Sequence, residues 1–236
     1  ALTDKDLTSN FNFTTANSIN ISRWIPQTLY YFFAYSQLPS DIEKSSFSIP
    51  SGNYGNLFSA IVSKKLGLPI ENIISSNNIN NPVEIYFQSG VYTPLHSKET
   101  LSNAMDVGDP SNFKRVNKIF DHDLDKMKEI IHAFSFTDYE TEDAIKNLLK
   151  KNKYFCDPHG AIGYLGAKKY IDNNLGSHCI FLETAHFYKF YDEIKNIIGN
   201  EFNVPSQLES ILKKEKNSVE INGYNHFKEY INSLTL

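Results

Sequence analysis

The chain reads as a three-layer α/β fold, a mostly parallel sheet with flanking helices, and three observations predict it. A β-type run at Phe47, Ser48 and Ile49 is followed at once by a helical stripe, Leu57, Phe58, Ile61, Val62 and Leu66, at three- and four-residue spacing. A second short strand pattern follows near Asn72 to Ser75, and a helix pattern from Ser22 to Tyr35 precedes them all. Such alternation asks for parallel strands joined by helical crossovers. With 236 residues the chain can bury one large α/β core, with or without an appended lobe.

The elements follow in order. The first sixteen residues are polar and carry no regular period, and Ala1 rather than Met opens the chain, so an upstream portion is expected. Residues 24–35, WIPQTLYYFFAY, are the most apolar segment. They are too short to span a bilayer and contain Gln27, so a buried helix starting near Pro26 explains them. Pro50 ends the first strand, because it brings no N–H to a ladder. The middle of the chain differs: an Asn-rich turn (SNNINNP) and a Gly/Pro-punctuated segment lead to expected helices at 112–133 and 141–150, with Ser111 as a cap. After Asp157-Pro158-His159-Gly160, where Asp157 suits a turn cap, come a helix over 161–173, a strand from Cys179 to Leu182 and a turn holding Thr184. Helices are expected at 187–199, 206–213 and 222–233.

Charge and cysteine usage narrow the function classes. With 23 basic against 27 acidic residues the net charge is −4, which points to neither a nucleic-acid nor a membrane surface, while a local pocket for an anionic metabolite stays compatible. Cys156 and Cys179 lack any CxxC or metal-ligand spacing. They read as reduced structural thiols of a cytoplasmic protein, and no metal is expected.

The chemistry concentrates in SGNYGN, residues 51–56. Gly52 and Gly55 let a ligand approach the backbone, and the N–H groups from Gly52 through Asn56 converge near a helix start. Asn53 and Asn56 add side-chain donors and Ser51 a hydroxyl. No lysine follows as in GxxxxGK[ST], and the spacing is not GxGxxG, so one small phosphate fits better than a nucleotide. A plain strand-turn-helix corner, with glycines serving only the turn, is the alternative.

Five segments in register, NSINISRWIPQTLYYFFAY, SIPSGNYGNLFSAIVSKKLGLP, SNAMDVGDPSNFKRV, DPHGAIGY and LETAHFYKF, resemble the C-terminal half of the threonine synthase family. The resemblance implies the fold-type II, tryptophan synthase β-like architecture of enzymes that use pyridoxal 5′-phosphate (PLP). It implies a lyase in amino-acid biosynthesis that converts O-phospho-L-homoserine and water to L-threonine and phosphate. Carried onto these residues, Gly52, Asn53, Tyr54, Gly55 and Asn56 hold the cofactor phosphate, and Thr184 faces the pyridine nitrogen as a neutral hydroxyl. Asn17, Ser18, Asn20 and Arg23, joined by Lys189, receive the phosphate end of the substrate. His159 and His186 are left to packing, and Asn112 and Arg115 to architecture.

Residues 1–236 would then be the C-terminal part of the large PLP-binding domain, with a family-specific insertion at about 80–150. Two local departures stand out: Phe187 where the family usually has Pro, and Asn103-Ala104 within SNAMD where SPSMD is commoner. The Schiff-base lysine, which the family carries in an FKD-type motif upstream of NSIN, has no counterpart before Asn17. No catalytic residue is therefore assigned in this chain. A fragment inactive without its N-terminal portion is expected. Two alternatives stay open: another fold-type II lyase such as a serine/threonine dehydratase, and a non-catalytic half-domain that binds a phosphate metabolite.

Overall fold

The computed structural model describes residues 1–199, 202–206, 208, 210 and 214–234, and it divides the chain into two units. In the unit made of Ala1–Asn17 and Asn203–Leu236, helix α1 (Lys5–Asn10) begins at Asp4, whose carboxylate accepts from the N–H groups of Asp6 and Leu7. The same carboxylate accepts from Tyr224 Oη at 2.7 Å and pairs with Lys228 at 3.1 Å, both on the helix Gly223–Ser233. These two contacts, the tyrosine first, hold the Asp4 carboxyl down at about 2. Sequence periodicity missed α1, which is a single capped turn and a half with one buried side chain, Leu7.

The unit Ser18–Phe202 is the α/β body. Strands β1 (Ser45–Pro50), β2 (Ile70–Asn77), β3 (Ile131–Ser135) and β4 (Cys179–Phe181) run parallel in the order β3-β2-β1-β4. The fold is thus the three-layer, parallel-sheet α/β architecture that the sequence predicts. Along β1 the two-residue period sends Phe47 and Ile49 to one face, where they join Tyr31 of α3 (Thr28–Ser36), Leu57 and Ile61 of α4 (Gly55–Lys65), and Ile73 of β2 in the main core. Each of these buried side chains contributes about 1.5–3 kcal/mol.

The opposite face of β1 and β2 is lined by hydroxyls. Ser48 Oγ donates to the carbonyl of Gly163 at 2.6 Å in α9 (Pro158–Asn173), and Ser76 Oγ lies 2.8 Å from Ser48 Oγ. Gly166 lets α9 come this close, because a Cβ there would run into the Ser76 and Ser48 hydroxyls. Helix α8 (Asp138–Asn152) opens with a Thr137/Glu140 capping box and packs Ala144, Ile145 and Leu148 with Ala161 of α9.

Several expected elements change form. The helix expected over 22–35 is two, α2 (Ile21–Trp24) and α3, and it is only half buried: Tyr31 is in the core while Leu29, Tyr30 and Phe33 are exposed. The Asn-rich stretch leads into α5 (Pro82–Ser89), with Pro82 in its first turn. The helix expected at 112–133 is α6 (Phe113–Ile119), then α7 (Leu124–Lys128), then β3. Asp121 and His122 break it by adopting left-handed φ of 54° and 61°, Asp123 caps α7, and Ile131–Ser135 pairs with β2. Ser111 is not the cap of α6; Asn112 takes that position. The expected strand Cys179–Leu182 ends at Phe181, and the helix expected at 187–199 is a 3₁₀ turn, Phe187–Phe190, followed by α10 (Tyr191–Ile198). The helix expected at 206–213 lies largely outside the described residues.

Candidate functional site

In the strand order, β1 lies between β2, its successor in the chain, and β4, the last strand; there the connections diverge and open a crevice at the carboxyl ends of β1 and β4. A cleft of about 530 Å³ occupies it. Its floor is the loop that leaves β1, Gly52 to Asn56, and Leu182, Glu183 and Thr184 beyond β4 form another side. Ser18, Gln27, Tyr30, Tyr31, Ala104, Met105 and His159 complete the lining.

The loop is held in an uncommon shape. Tyr54, just before α4, takes a left-handed φ of 63°, a conformation that costs a non-glycine residue about 1–2 kcal/mol. Its side chain is anchored to compensate: the ring meets Phe113 at 5.6 Å, and the buried hydroxyl donates to Asn77 Oδ1 at 3.1 Å while accepting from Ser75 Oγ at 2.9 Å. Burial raises the Tyr54 phenol well above its usual range, so the group stays a neutral donor. Asn77 Nδ2 also donates to the carbonyl of Ser51 at 2.7 Å, and Tyr31 Oη to that of Asn56 at 2.6 Å. Both ends of the turn are therefore pinned to the core.

The result is a concave row of donors. None of the backbone N–H groups from Gly52 to Asn56 has an acceptor among the described residues. Gly52 packs its α-carbon against the turn Asn103–Met105: a Cβ there would lie 2.8 Å from Met105 Cα and 2.9 Å from the Ala104 carbonyl oxygen. That turn is fixed in turn by Asp106, whose Oδ1 accepts from Asn78, Asn80 and Thr100 at 2.7–3.1 Å. Unpaired N–H groups at a helix start, with room for close approach, suit a phosphate group.

Side-chain donors expected from the loop are partly engaged within the protein. Asn56 Nδ2 donates to the Pro50 carbonyl, Ser51 Oγ to that of Ile49, and Asn53 Nδ2 to Ser18 Oγ. Ser51 has no proton left for a ligand and each amide keeps one N–H beyond these bonds, so the backbone supplies most of the loop's donors.

Of the other residues singled out by sequence, Ser18 and Thr184 line the cleft. Asn20, Arg23 and Lys189 do not. Asn20 caps α2 through Ser22 N, Arg23 is an exposed residue of that helix, and Lys189 lies 5.6 Å over the Phe190 ring. Asn17 belongs to the other unit, where its N–H donates to Thr15 Oγ1 at 3.0 Å.

Two titratable groups line the cleft, His159, which the sequence reading leaves to packing, and Glu183, which it does not single out. His159, nearly fully buried, joins its Nδ1 to Asp157 Oδ1 at 2.7 Å, and Asp157 also caps α9 through His159 N, as expected of it. Glu183 Oε1 accepts from Cys156 Sγ at 2.9 Å and from Tyr154 Oη at 3.3 Å. Burial pushes the Glu183 carboxyl up to about 7; the Cys156 hydrogen bond opposes this and the neighbouring Asp157 charge adds to it. A lone Glu after a short strand gave no signal of this in the sequence. The carboxylates meet only through the tertiary approach of β4 to the start of α9.

Comparison with known proteins places these features. A family model described as "Threonine synthase, C-terminal" matches residues 160–231. The chain is 36% identical over 209 residues to threonine synthase of Escherichia coli and 39% identical over 210 residues to that of Haemophilus influenzae, covering 88% and 89% of this chain but 48% of each relative. It is also similar to the crystal structure of PLP-bound threonine synthase from Brucella melitensis, with a TM-score of 0.89 at 30% identity, over 98% of this chain and 55% of that one. The chain thus spans about half the length of the curated relatives it matches.

Proposed function

The chain belongs to the threonine synthase family, and from that premise we propose that it is the cofactor-gripping part of a PLP-dependent carbon–oxygen lyase that turns O-phospho-L-homoserine and water into L-threonine and phosphate. The observation that carries this reading is the row of acceptorless N–H groups at Gly52 to Asn56, set at the divergence point of the sheet. These residues fit the cofactor phosphate: neutral donors, a left-handed Tyr54 that aims them, and a Gly52 whose close packing on Ala104 and Met105 fixes the floor. Bound PLP supplies an electron sink for carbanions formed beside the substrate amine.

The chain's own residues do the rest. The backbone of Gly52 to Asn56 binds and orients; Ala104 and Met105 wall the phosphate end against water; and Thr184, a neutral hydroxyl at the cleft, is the partner for the ring nitrogen. Ser18 is the substrate-side donor. A complementary N-terminal portion brings the Schiff-base lysine, and the assembled enzyme works in the cytoplasm.

One observation favours a second reading. Neither Arg23 nor Lys189 lines the cleft, so no cation among the lining residues awaits a substrate phosphate. A fold-type II lyase whose substrate carries none, such as a serine/threonine dehydratase, matches that feature; a half-domain holding only a phosphate metabolite does as well.

The test compares PLP with pyridoxal, which lacks the phosphate, by fluorescence titration of the chain. PLP should bind at least ~10-fold tighter, the worth of one or two charge-assisted hydrogen bonds. Equal affinities would remove the phosphate loop from the proposal. Enzyme reconstituted with the complementary portion separates the two lyase readings: threonine formed from phosphohomoserine supports the synthase, and turnover of serine or threonine with none of phosphohomoserine supports the dehydratase.

A further inference from the structure

Ser18 Oγ sits where two side-chain amides converge. Asn53 Nδ2 donates to it at 2.6 Å and Asn112 Nδ2 at 3.3 Å. A hydroxyl has two lone pairs and one proton, so these two bonds use its whole capacity to accept.

The direction of both bonds is fixed by groups that can only donate. Asn53 Oδ1 accepts from the backbone N–H of Ser111 at 2.6 Å, and from Ser111 Oγ at 2.9 Å. Asn112, fully buried, turns its Oδ1 to the guanidinium of Arg115, which holds the Ile19 carbonyl with its other nitrogen at 2.6 Å. Neither amide can flip without setting N–H against N–H. The Ser18 proton finds no acceptor among the described residues, and Ser18 lines the cleft beside Gly55, whose added Cβ would lie 3.6 Å from that of Ser18.

We infer that Arg115 and Asn112 are positioning residues that leave the Ser18 hydroxyl able only to donate, toward a phosphate oxygen bound in the cleft. The inference rests on the phosphate-binding reading above and deepens it. Two phosphates share this chemistry, that of the cofactor and that of the substrate. Polarisation runs one way along the chain, from guanidinium to amide to hydroxyl to anion, each bond strengthening the next.

The experiment is a double-mutant cycle on the full chain, read as Kd by calorimetry for inorganic phosphate, PLP and O-phospho-L-homoserine separately. Ser18→Ala should weaken the relevant ligand about 10-fold. Asn112→Asp offers Ser18 an acceptor and captures its proton, so it should weaken binding at least ~5-fold more with Ser18 present than in the Ser18→Ala background. Arg115→Met should also weaken binding, by freeing the Asn112 amide to turn. Coupling seen with PLP assigns the cofactor phosphate; coupling seen with phosphohomoserine and inorganic phosphate but not PLP assigns the substrate's.

Equal factors in both backgrounds for all three ligands overturn the inference and leave the phosphate loop standing. A wild-type chain that binds none of the three overturns both. Should the buried Asn112 variants not fold, NMR of the wild-type chain decides: the Asn53 and Asn112 side-chain amide signals must shift as phosphate is titrated, and signals that stay fixed refute the inference.

Discussion

Gly52→Ala is the sharpest test of how the cleft is built. The added Cβ would sit 2.8 Å from Met105 Cα and 2.9 Å from the Ala104 carbonyl oxygen. Carbon–carbon contacts settle at about 3.5–4.0 Å, so one backbone must retreat by roughly 1 Å. Neither can do so by turning a side chain, and the Met105 side is tied down through Asp106. Overpacking of this kind costs about 1–3 kcal/mol. For a domain of this size, 2 kcal/mol lowers Tm by about 4–8 °C.

The same displacement tilts the Gly52 to Asn56 donors, so phosphate affinity should fall by ~10-fold or more, a loss of about 1.4 kcal/mol of hydrogen bonding. Gly55→Ala is the control. Its Cβ would find only Asn112 Nδ2 at 3.4 Å and Ser18 Cβ at 3.6 Å, and Ala in a first helical turn reduces unfolded-chain freedom, so stability should hold or rise by ~0.5 kcal/mol. Thermal melts with phosphate titrations on both variants decide. A Gly52→Ala protein that melts within ~1 °C of the parent and binds phosphate equally well would refute the close-packed floor.

Asn77→Ala should be among the costliest polar substitutions in the sheet. It leaves the Ser51 carbonyl without its donor and takes the acceptor from Tyr54 Oη, for a loss of about 2–4 kcal/mol in urea unfolding at unchanged m-value; a loss under ~0.5 kcal/mol would show that Tyr54 is held by its ring alone. Glu183 gives a pH signature. Its folded pKa is raised from 4.5 to about 7, so the native chain holds the proton more tightly, and stability present below pH ~4.5 is lost as pH rises through 7. Glu183 is desolvated only in part and keeps an open side to solvent at the cleft, and that screening leaves an expectation of ~1 kcal/mol. Glu183→Gln should flatten that slope in denaturation curves between pH 4.5 and 7.5; a slope unchanged by the substitution would assign it to other groups.

What the sequence made legible is what depends on neighbours along the chain. Phe47-Ser48-Ile49, Pro50, two glycines and the Leu57-to-Leu66 stripe announce β1, the loop and α4 because period and turn chemistry are local. Strand β3 was hidden because Ile131-His132-Ala133-Phe134-Ser135 follows a Lys/Glu-rich run of helical character, and the break at Asp121-His122 uses residues that only sometimes turn left-handed. The spending of Asn53 and Asn56 within the protein was equally invisible, since Ser18, Ser111 and Pro50 reach them through tertiary packing. Motif resemblance supplied Thr184 and Ser18, which spacing alone could not single out. The same resemblance named Arg23 and Lys189, which are not among the residues lining the cleft.

The hydroxyl-lined face under α9 bears on which changes the family can inherit. Ser48, Ser76, Gly163 and Gly166 touch no cleft space, yet they set the height and register of the helix whose first turn carries Asp157 and His159. A seat of small residues and short hydrogen bonds has no slack to absorb a larger neighbour, whereas a greasy interface can repack. In a saturation library these positions should therefore look as unforgiving as ligand contacts. Constraint mapped onto the sequence would draw a second site interleaved with the first, made wholly of scaffolding.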